Sequence, residues 1–271
     1  MQKEFVFDYY NKYCRSMEFA YSSIKKMYIP ERVDELAELR CYPKDGVQHQ
    51  MLKDFNIGSC NIIDTTVLGE DAQKLGLITD NGYFLLNNRF IVDIRDMKNN
   101  LIALVGYYPD FKKYITTPSQ FFAKELCFFN IAEAYIRSWE KFDGTVFLVE
   151  GMFDALSLKA IGLPVIGTMG VTVDTPKDNL LRFFKKVVGI PDNDKAGRRC
   201  LNRYDKKYGW KLDEKDIFIR LKGKLHTEFG DLPIKDVDNM VTVLGAKNTY
   251  NILMNYAESK EDVVLDFSTL M

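Results

Sequence analysis

The spacing of apolar positions along the chain changes character twice, and each change predicts a different architecture. Over residues 1–40, Tyr9, Tyr13, Met17 and Ala20, then Val33, Leu36 and Leu39, recur at helical spacing, which predicts helices with Pro30 at a start. A short helix is predicted near residues 51–55 and another over 72–78, closing at Gly76. After the Asp80-Asn81-Gly82 turn the apolar residues become contiguous and β-branched. This predicts strands over 84–86, 89–94 and 101–107, with residues 96–100 as a hairpin turn, hence a mostly antiparallel sheet. Residues 113–118 are extended ahead of Pro118. A helix over 128–141 follows, with Phe129, Ala132, Tyr135, Ile136 and Trp139 on its apolar face.

From Thr145 short apolar runs alternate with helical spacing. Strands are predicted over 145–149, 164–167, 187–191 and 216–221, and helices over 152–161, 175–185 and 195–208. Short helices near 237–244 and 246–257 follow, and residues 258–271 are read as poorly ordered or accessory. The alternation predicts an α/β fold: a mainly parallel sheet with helices on both faces, preceded by an α+β subdomain. The expected limits are 1–143, 144–235 and 236–271, the last a helical segment closing the core.

Two of these strands end in acids. Thr145-Val146-Phe147-Leu148-Val149 runs into Glu150-Gly151, with Asp154 shortly after, and Val187-Val188-Gly189-Ile190-Pro191 runs into Asp192-Asn193-Asp194. In an open α/β sheet ligands bind at that strand edge, and hard divalent cations take oxygen ligands. Taken singly, a Glu-Gly after a strand is a helix entry, and an Asp-x-Asp before a helix is an N-cap. Delivered together at neighbouring strand ends, they point to a metal-dependent site.

Composition narrows the class. The 271 residues are 46% apolar with a formal net charge of −1, the balance of a globular protein rather than of one that coats nucleic acid. No apolar run reaches a membrane span and the charged N-terminus lacks a signal-peptide core, so the expectation is a cytoplasmic protein. Five scattered cysteines and two histidines without a C-x-x-C pair predict no zinc site. Basic residues crowd the segment from Arg182 to Lys211, including Lys195, Arg198, Arg199 and Arg203. Such a face either contacts phosphates or is a solvated helix surface.

Glu150-Gly151-x-x-Asp154 followed by Asp192-x-Asp194-x-x-Gly197, with Thr168-Met169-Gly170 between them, resembles the TOPRIM domain shared by primases, topoisomerases and some nucleases. The resemblance extends outward to one branch, the catalytic RNA polymerase core of DnaG-type bacterial primase. Arg89-Phe90-Ile91-Val92-Asp93-Ile94-Arg95-Asp96 resembles its arginine and strand ending in P-I-R-D. Lys113-Tyr114-Ile115-Thr116-Thr117-Pro118 resembles K-Y-L-N-S-P, Phe122-x-Lys124 the F-x-K after it, and Lys235-Asp236-Val237-Asp238 the late K-D-P-D. Two departures stand out: Val105-Gly106-Tyr107-Tyr108-Pro109 replaces G-F-G-G-R, losing its arginine, and Asp192-Asn193-Asp194 replaces D-G-D. The zinc-binding and helicase-docking domains have no counterpart, and a bare core of this kind suits a phage, plasmid or transposon.

The resemblance implies synthesis of short RNA primers on single-stranded DNA from ribonucleoside triphosphates, with two Mg²⁺ or Mn²⁺ ions. Asp192, Asp194, Asp236 and Asp238 are the implied metal ligands. Glu150 is a ligand or general base, and Asp154 orients the others. Arg89 and Lys113 would hold the triphosphate, assisted by Lys124 and Lys195, while Arg198, Arg199 and Arg203 would track the template. A replicative helicase, or a separate template-recognition protein, is the implied macromolecular partner. The alternatives are a TOPRIM-type nuclease and a non-catalytic DNA-binding replication accessory protein.

Overall fold

The long helix α1 (Gln2–Lys25) supplies the first apolar stripe. Its residues Met17, Ala20, Tyr21 and Ile24 are buried against Leu68, Ala72, Ile91 and Leu104 in one cluster. The computed structural model describes residues 2–54, 58–60, 64–109, 113–170, 176–197, 216–227 and 230–269, divided into a first unit, Met1–Ala123, and a second, Lys124–Met271.

In the first unit α1 is followed by β1 (Tyr28–Ile29), α2 (Glu31–Leu39), α3 (Val47–Asp54), β2 (Gly58–Cys60), α4 (Gly69–Lys74), β3 (Arg89–Arg95), β4 (Leu101–Tyr108) and β5 (Lys113–Thr116). The strands form one sheet in the order β1-β2-β3-β4-β5, antiparallel throughout. The β3–β4 turn closes on Asp96, whose Oδ1 accepts from the backbone N–H groups of Lys98 and Asn100, both at 2.9 Å. Asn99 takes the left-handed conformation there (φ 64°), which asparagine tolerates. The strand expected over 84–86 is not formed. Phe84 makes only an isolated bridge to Ile78, and the chain then turns, with Asn87 N–H donating to the Phe84 carbonyl at 3.0 Å. Burial of Phe84 and Leu86 supplied the strand-like pattern without strand geometry.

The second unit contains α5 (Ile131–Lys141), β6 (Thr145–Val149), α6 (Met152–Ala160), β7 (Val165–Gly167), β8 (Lys186–Ile190), β9 (Ile217–Lys222), β10 (Lys224–Thr227), β11 (Gly230–Pro233), α7 (Val237–Leu244), α8 (Ala246–Ala257) and β12 (Val263–Asp266). Its five-stranded sheet runs β12-β9-β8-β6-β7 and is parallel at every pairing. It is the α/β sheet the alternation predicts, joined to the antiparallel subdomain. Among the described residues no helix is long and apolar enough to cross a membrane.

Four details differ from the sequence reading. The helix α5 starts later than residue 128, because Phe129 and Gly167 exchange backbone hydrogen bonds of 2.9 and 3.2 Å. Its buried side is Ile131, Ala132, Ala134 and Ser138, while Ile136 and Trp139 are exposed; small residues let the helix approach the sheet. It packs on β6 and β7. The segment 175–185 is a 3₁₀ helix over Pro176–Phe183. The chain end is ordered as β12, which extends the parallel sheet at its edge beside β9. The helix expected over 195–208 begins at Lys195, and beyond Gly197 it lies outside the described residues.

Candidate active site

Neighbouring parallel strands carry the acids to one edge. β6 and β8 pair in register down to Val149 and Ile190, so the residues that follow leave the sheet side by side. Glu150 follows β6 directly, and its Oε1 accepts from the Asp192 backbone N–H at 3.3 Å. Gly151 begins α6 in an extended conformation (φ −89°, ψ 155°), and Asp154 falls in the first turn, 7% exposed. A helix starting at Lys195 comes close in: a Cβ on Gly197 would lie 2.7 Å from the Glu150 carboxylate. Only glycine permits that approach.

A third segment, distant in sequence, completes the group. Asn193 N–H donates to the Lys235 carbonyl at 2.6 Å, and Asn193 Nδ2 donates to the Ile234 carbonyl at 3.3 Å. This fastens the start of α7 to the end of β8. Asp238 N–H donates to Asp154 Oδ1 at 3.0 Å, and Ser157 Oγ donates to Asp238 Oδ1 at 2.5 Å. Asp194 and Asp236 also take the structural role that such acids serve elsewhere. Asp194 Oδ1 accepts from the N–H groups of Ala196 and Gly197 at 2.7 and 2.9 Å. Asp236 caps α7 by accepting from Asn239 N–H at 2.8 Å.

Crowding raises the proton affinity of the cluster. Burial first, then the charges of Glu150 and Asp236, push Asp192 up to about 7 from 3.8. Burial, with Asp194 and Asp154 adding to it, raises Glu150. Asp154 is held well above the ordinary carboxylate range by burial and by Asp236, Asp192 and Asp238. Lys235 offsets part of this, but its Nζ lies 4.0 Å from Asp194 and both side chains are substantially exposed, so that pair contributes little.

Uncompensated carboxylates of this kind fit a divalent cation, whose charge would relieve the repulsion. Among the described residues no three His, Cys, Asp or Glu side chains form a ready-made metal cage. Mg²⁺ does not require one, because it keeps several waters and is held by one or two carboxylates together with substrate phosphates.

The sequence-derived cations fall in both units. Arg89 and Lys113 belong to the first. Phe90 pairs with Tyr107 across β3–β4 and Tyr108 with Lys113 across β4–β5, which sets Arg89, Tyr108 and Lys113 in one cross-strand row. The Arg89 guanidinium lies 5.4 Å from the centre of the Tyr108 ring. It reaches there over Gly106, where a Cβ would approach Arg89 Cδ to 2.8 Å. Among the described residues the buried Arg89 Nη1 has no hydrogen-bond partner, a costly state for a donor unless a ligand completes it. Lys124 and Lys195 are exposed on the second unit. Arg198, Arg199 and Arg203 lie outside the described residues.

Sequence reasoning missed Lys177, which is only 2% exposed and donates to the Thr168 carbonyl at 2.6 Å. Its signal was positional: it continues the buried stripe of Leu181 and Phe184. Tyr108 and Asn193 were missed as well, each read only as a departure from a motif.

Comparison with known proteins places the fold. Residues 147–224 match the Toprim-like family. The chain is similar in structure to the DnaG catalytic core, with TM-score 0.67 and 19% identity, covering 90% of this chain and 79% of that one. It is similar to the DnaG primase catalytic domain bound to ssDNA, with TM-score 0.63, 18% identity and 89% and 80% coverage. It is also similar to the RNA polymerase domain of Mycobacterium tuberculosis primase DnaG, with TM-score 0.68, 15% identity and 89% and 82% coverage. A comparison with curated protein sequences finds no match. The chain therefore has the fold of a DnaG primase catalytic core, and the Toprim-like match over residues 147–224 includes Glu150, Asp154, Asp192 and Asp194.

Proposed function

We propose that the protein is a DNA primase, joining ribonucleotides into short RNA primers on a single-stranded DNA template. The observation that carries this reading is the acid cluster at the C-terminal edge of a parallel sheet, where burial and then the charges of neighbouring acids raise the proton affinity of Glu150, Asp154 and Asp192. The fold is shared with primase cores, one of them solved bound to ssDNA. In this reading Asp192, Asp194 and Asp236 hold Mg²⁺ or Mn²⁺, with Asp238 as a further ligand. The chemistry a divalent ion supplies at such a cluster is stabilisation of charge on the attacking and leaving oxygens of phosphoryl transfer.

The protein's own groups do the remainder. Glu150, raised by burial, serves as a ligand or takes the proton of the attacking 3′-hydroxyl, since a general base works best near the operating pH. Asp154 orients the α7 start through its bond to Asp238 N–H. Arg89 and Lys113 bind the triphosphate, with the Arg89 guanidinium lying against the Tyr108 ring and its Nη1 without a partner among the described residues. Lys124 and Lys195 assist, and Arg198, Arg199 and Arg203 follow the template phosphates. The macromolecular partner in this reading is a replicative helicase or a separate template-recognition protein.

The test is direct. Purified protein, single-stranded DNA, labelled ribonucleotides and Mn²⁺ should yield short RNA products. Cleavage of the DNA with no RNA product would replace this reading with a nuclease.

A further inference from the structure

A charged side chain is buried beside the site with no place in the mechanism above. Lys177 lies at the start of the 3₁₀ helix Pro176–Phe183, 2% exposed. Its Nζ donates to the Thr168 carbonyl at 2.6 Å and to the Lys124 carbonyl at 3.3 Å, and it sits 5.3 Å from the centre of the Phe128 ring. Burying an ammonium costs several kcal/mol in lost hydration, on the order of what good hydrogen bonds return. An apolar side chain would fill the same space without that cost, so stability alone is a poor reason for a lysine here.

The two carbonyls it joins explain its presence. One belongs to the turn Thr168-Met169-Gly170, which is fastened to the end of β6. Thr168 N–H donates to the Val149 carbonyl at 2.9 Å, and Thr168 Oγ1 donates to the Glu150 carbonyl at 3.3 Å or the Gly170 carbonyl at 2.7 Å. Met169 is held in the left-handed region (φ 57°), a conformation that costs a non-glycine residue about 1 kcal/mol and persists only where its surroundings enforce it. The other carbonyl belongs to Lys124, in the 3₁₀ turn Lys124–Leu126. A rigid ammonium thus ties the backbone beneath Glu150 to the backbone that carries an exposed cation.

We propose that Lys177 is a positioning residue for nucleoside triphosphate. It locks the turn behind Glu150 and the Lys124 segment into one arrangement, so that carboxylate and cation meet the same substrate. This rests on the triphosphate-binding reading of Lys124. The step at stake is geometric, and displacement of about 1 Å in a catalytic group lowers rates by about 10²-fold.

Triphosphate affinity, measured by calorimetry with ATP and Mg²⁺, reads the proposal independently of turnover. Lys177→Met should weaken ATP binding about 10-fold and lower kcat/KM for primer synthesis about 100-fold. Lys177→Arg, which keeps the charge and the donors, should recover most of the loss. The decisive arm is a double-mutant cycle. Lys124→Ala should weaken ATP by itself, and adding Lys177→Met should weaken it no further, because the position Lys177 fixes has lost its cation. Equal ATP affinity in Lys177→Met and wild type, or losses that multiply in the double variant, would overturn the proposal. If Lys177→Met does not fold, Lys177→Gln carries the same cycle. A wild type that binds ATP but makes no RNA would defeat the primase reading while leaving this one to the binding cycle. A Lys124→Ala variant with wild-type ATP affinity would defeat the Lys124 assignment and this proposal with it.

Discussion

The two sheets bring their candidate side chains together by opposite means. In the second unit every strand of the main sheet points the same way, so the loops after β6 and β8 leave from one edge, and contacts spanning 42 and 84 residues close there. In the first unit strands alternate in direction, and Arg89, Tyr108 and Lys113 meet as a row across the sheet face. The parallel edge concentrates charge where hydration is poor, and its acids become reluctant to ionise. The antiparallel row leaves Lys113 exposed and places an aromatic ring under Arg89, a contact that returns about 1 kcal/mol against the cost of burying its Nη1. One unit thus holds buried acids that resist ionisation, and the other a guanidinium laid against an aromatic ring.

The sharpest break of this contrast is removal of the central acid. Asp192→Ala, and likewise Asp194→Ala, should abolish metal-dependent nucleotidyl transfer, by 10³-fold or more on the scale of losing a transition-state charge stabiliser. Asp192→Ala should also leave the protein as stable as wild type or more so in EDTA, because a repelled charge is gone. Retained activity in either variant, measured as labelled RNA product, would remove the metal assignment. Arg89→Ala should act more gently and differently. It should raise KM for ribonucleotides about 10–100-fold, the range for a charge-assisted phosphate contact, with a smaller change in kcat. A loss confined to kcat would make Arg89 part of the chemistry and blur the division between the regions.

The smallest expected effect is on stability, and its sign follows from Asp192. Unfolded, its carboxyl titrates near 3.8; folded, near 7. Below the lower value both states hold the proton and nothing differs. As pH rises between the two values the unfolded chain releases its proton first, so the folded state loses stability, and above about 7 the loss is complete. In EDTA the second unit should therefore be less stable at pH 8 than at pH 5 by roughly 2 kcal/mol. Mg²⁺ should restore it at pH 8 through binding to the folded state, and Asp192→Asn should flatten the difference. Hydrogen exchange locates the effect: protection in β6 and β8 should follow pH and Mg²⁺, while β3 and β4 stay constant. Equal sensitivity in both sheets would show that the acid cluster is not its source.

Much of this was legible along the chain because it depends on neighbours in sequence. The β6 and β8 runs bury entire strands, so contiguous apolar residues marked them, and the acids at their ends were visible by adjacency. The Asp96 turn between β3 and β4 closes on bonds within five residues. The helices α7 and α8 carry their own stripes and stops. Where tertiary packing chose between equal local options, the pattern misled. The apolar residues Ile136 and Trp139 marked one face of α5, yet the sheet accepted Ala134 and Ser138, since close approach favours small side chains. Phe84 and Leu86 are buried from a turn rather than from a strand. The β10–β11 hairpin was missed, because Lys-Leu-His-Thr and Gly-Asp-Leu-Pro carry one leucine apiece and no alternation to detect.

What the sequence determined by itself was the parallel sheet, its acidic edge and the antiparallel domain before it. Periodicity and strand-end chemistry are local properties. What only the tertiary structure decided was which groups distant in sequence lie together within each unit. Asp154 and Asp238 are joined by a single backbone hydrogen bond, Arg89 is laid over Tyr108 through the space at Gly106, and Lys177 is turned inward to two carbonyls. Each is a matter of one side chain's direction and one neighbour's distance, which the three-dimensional path of the chain sets and no local pattern encodes.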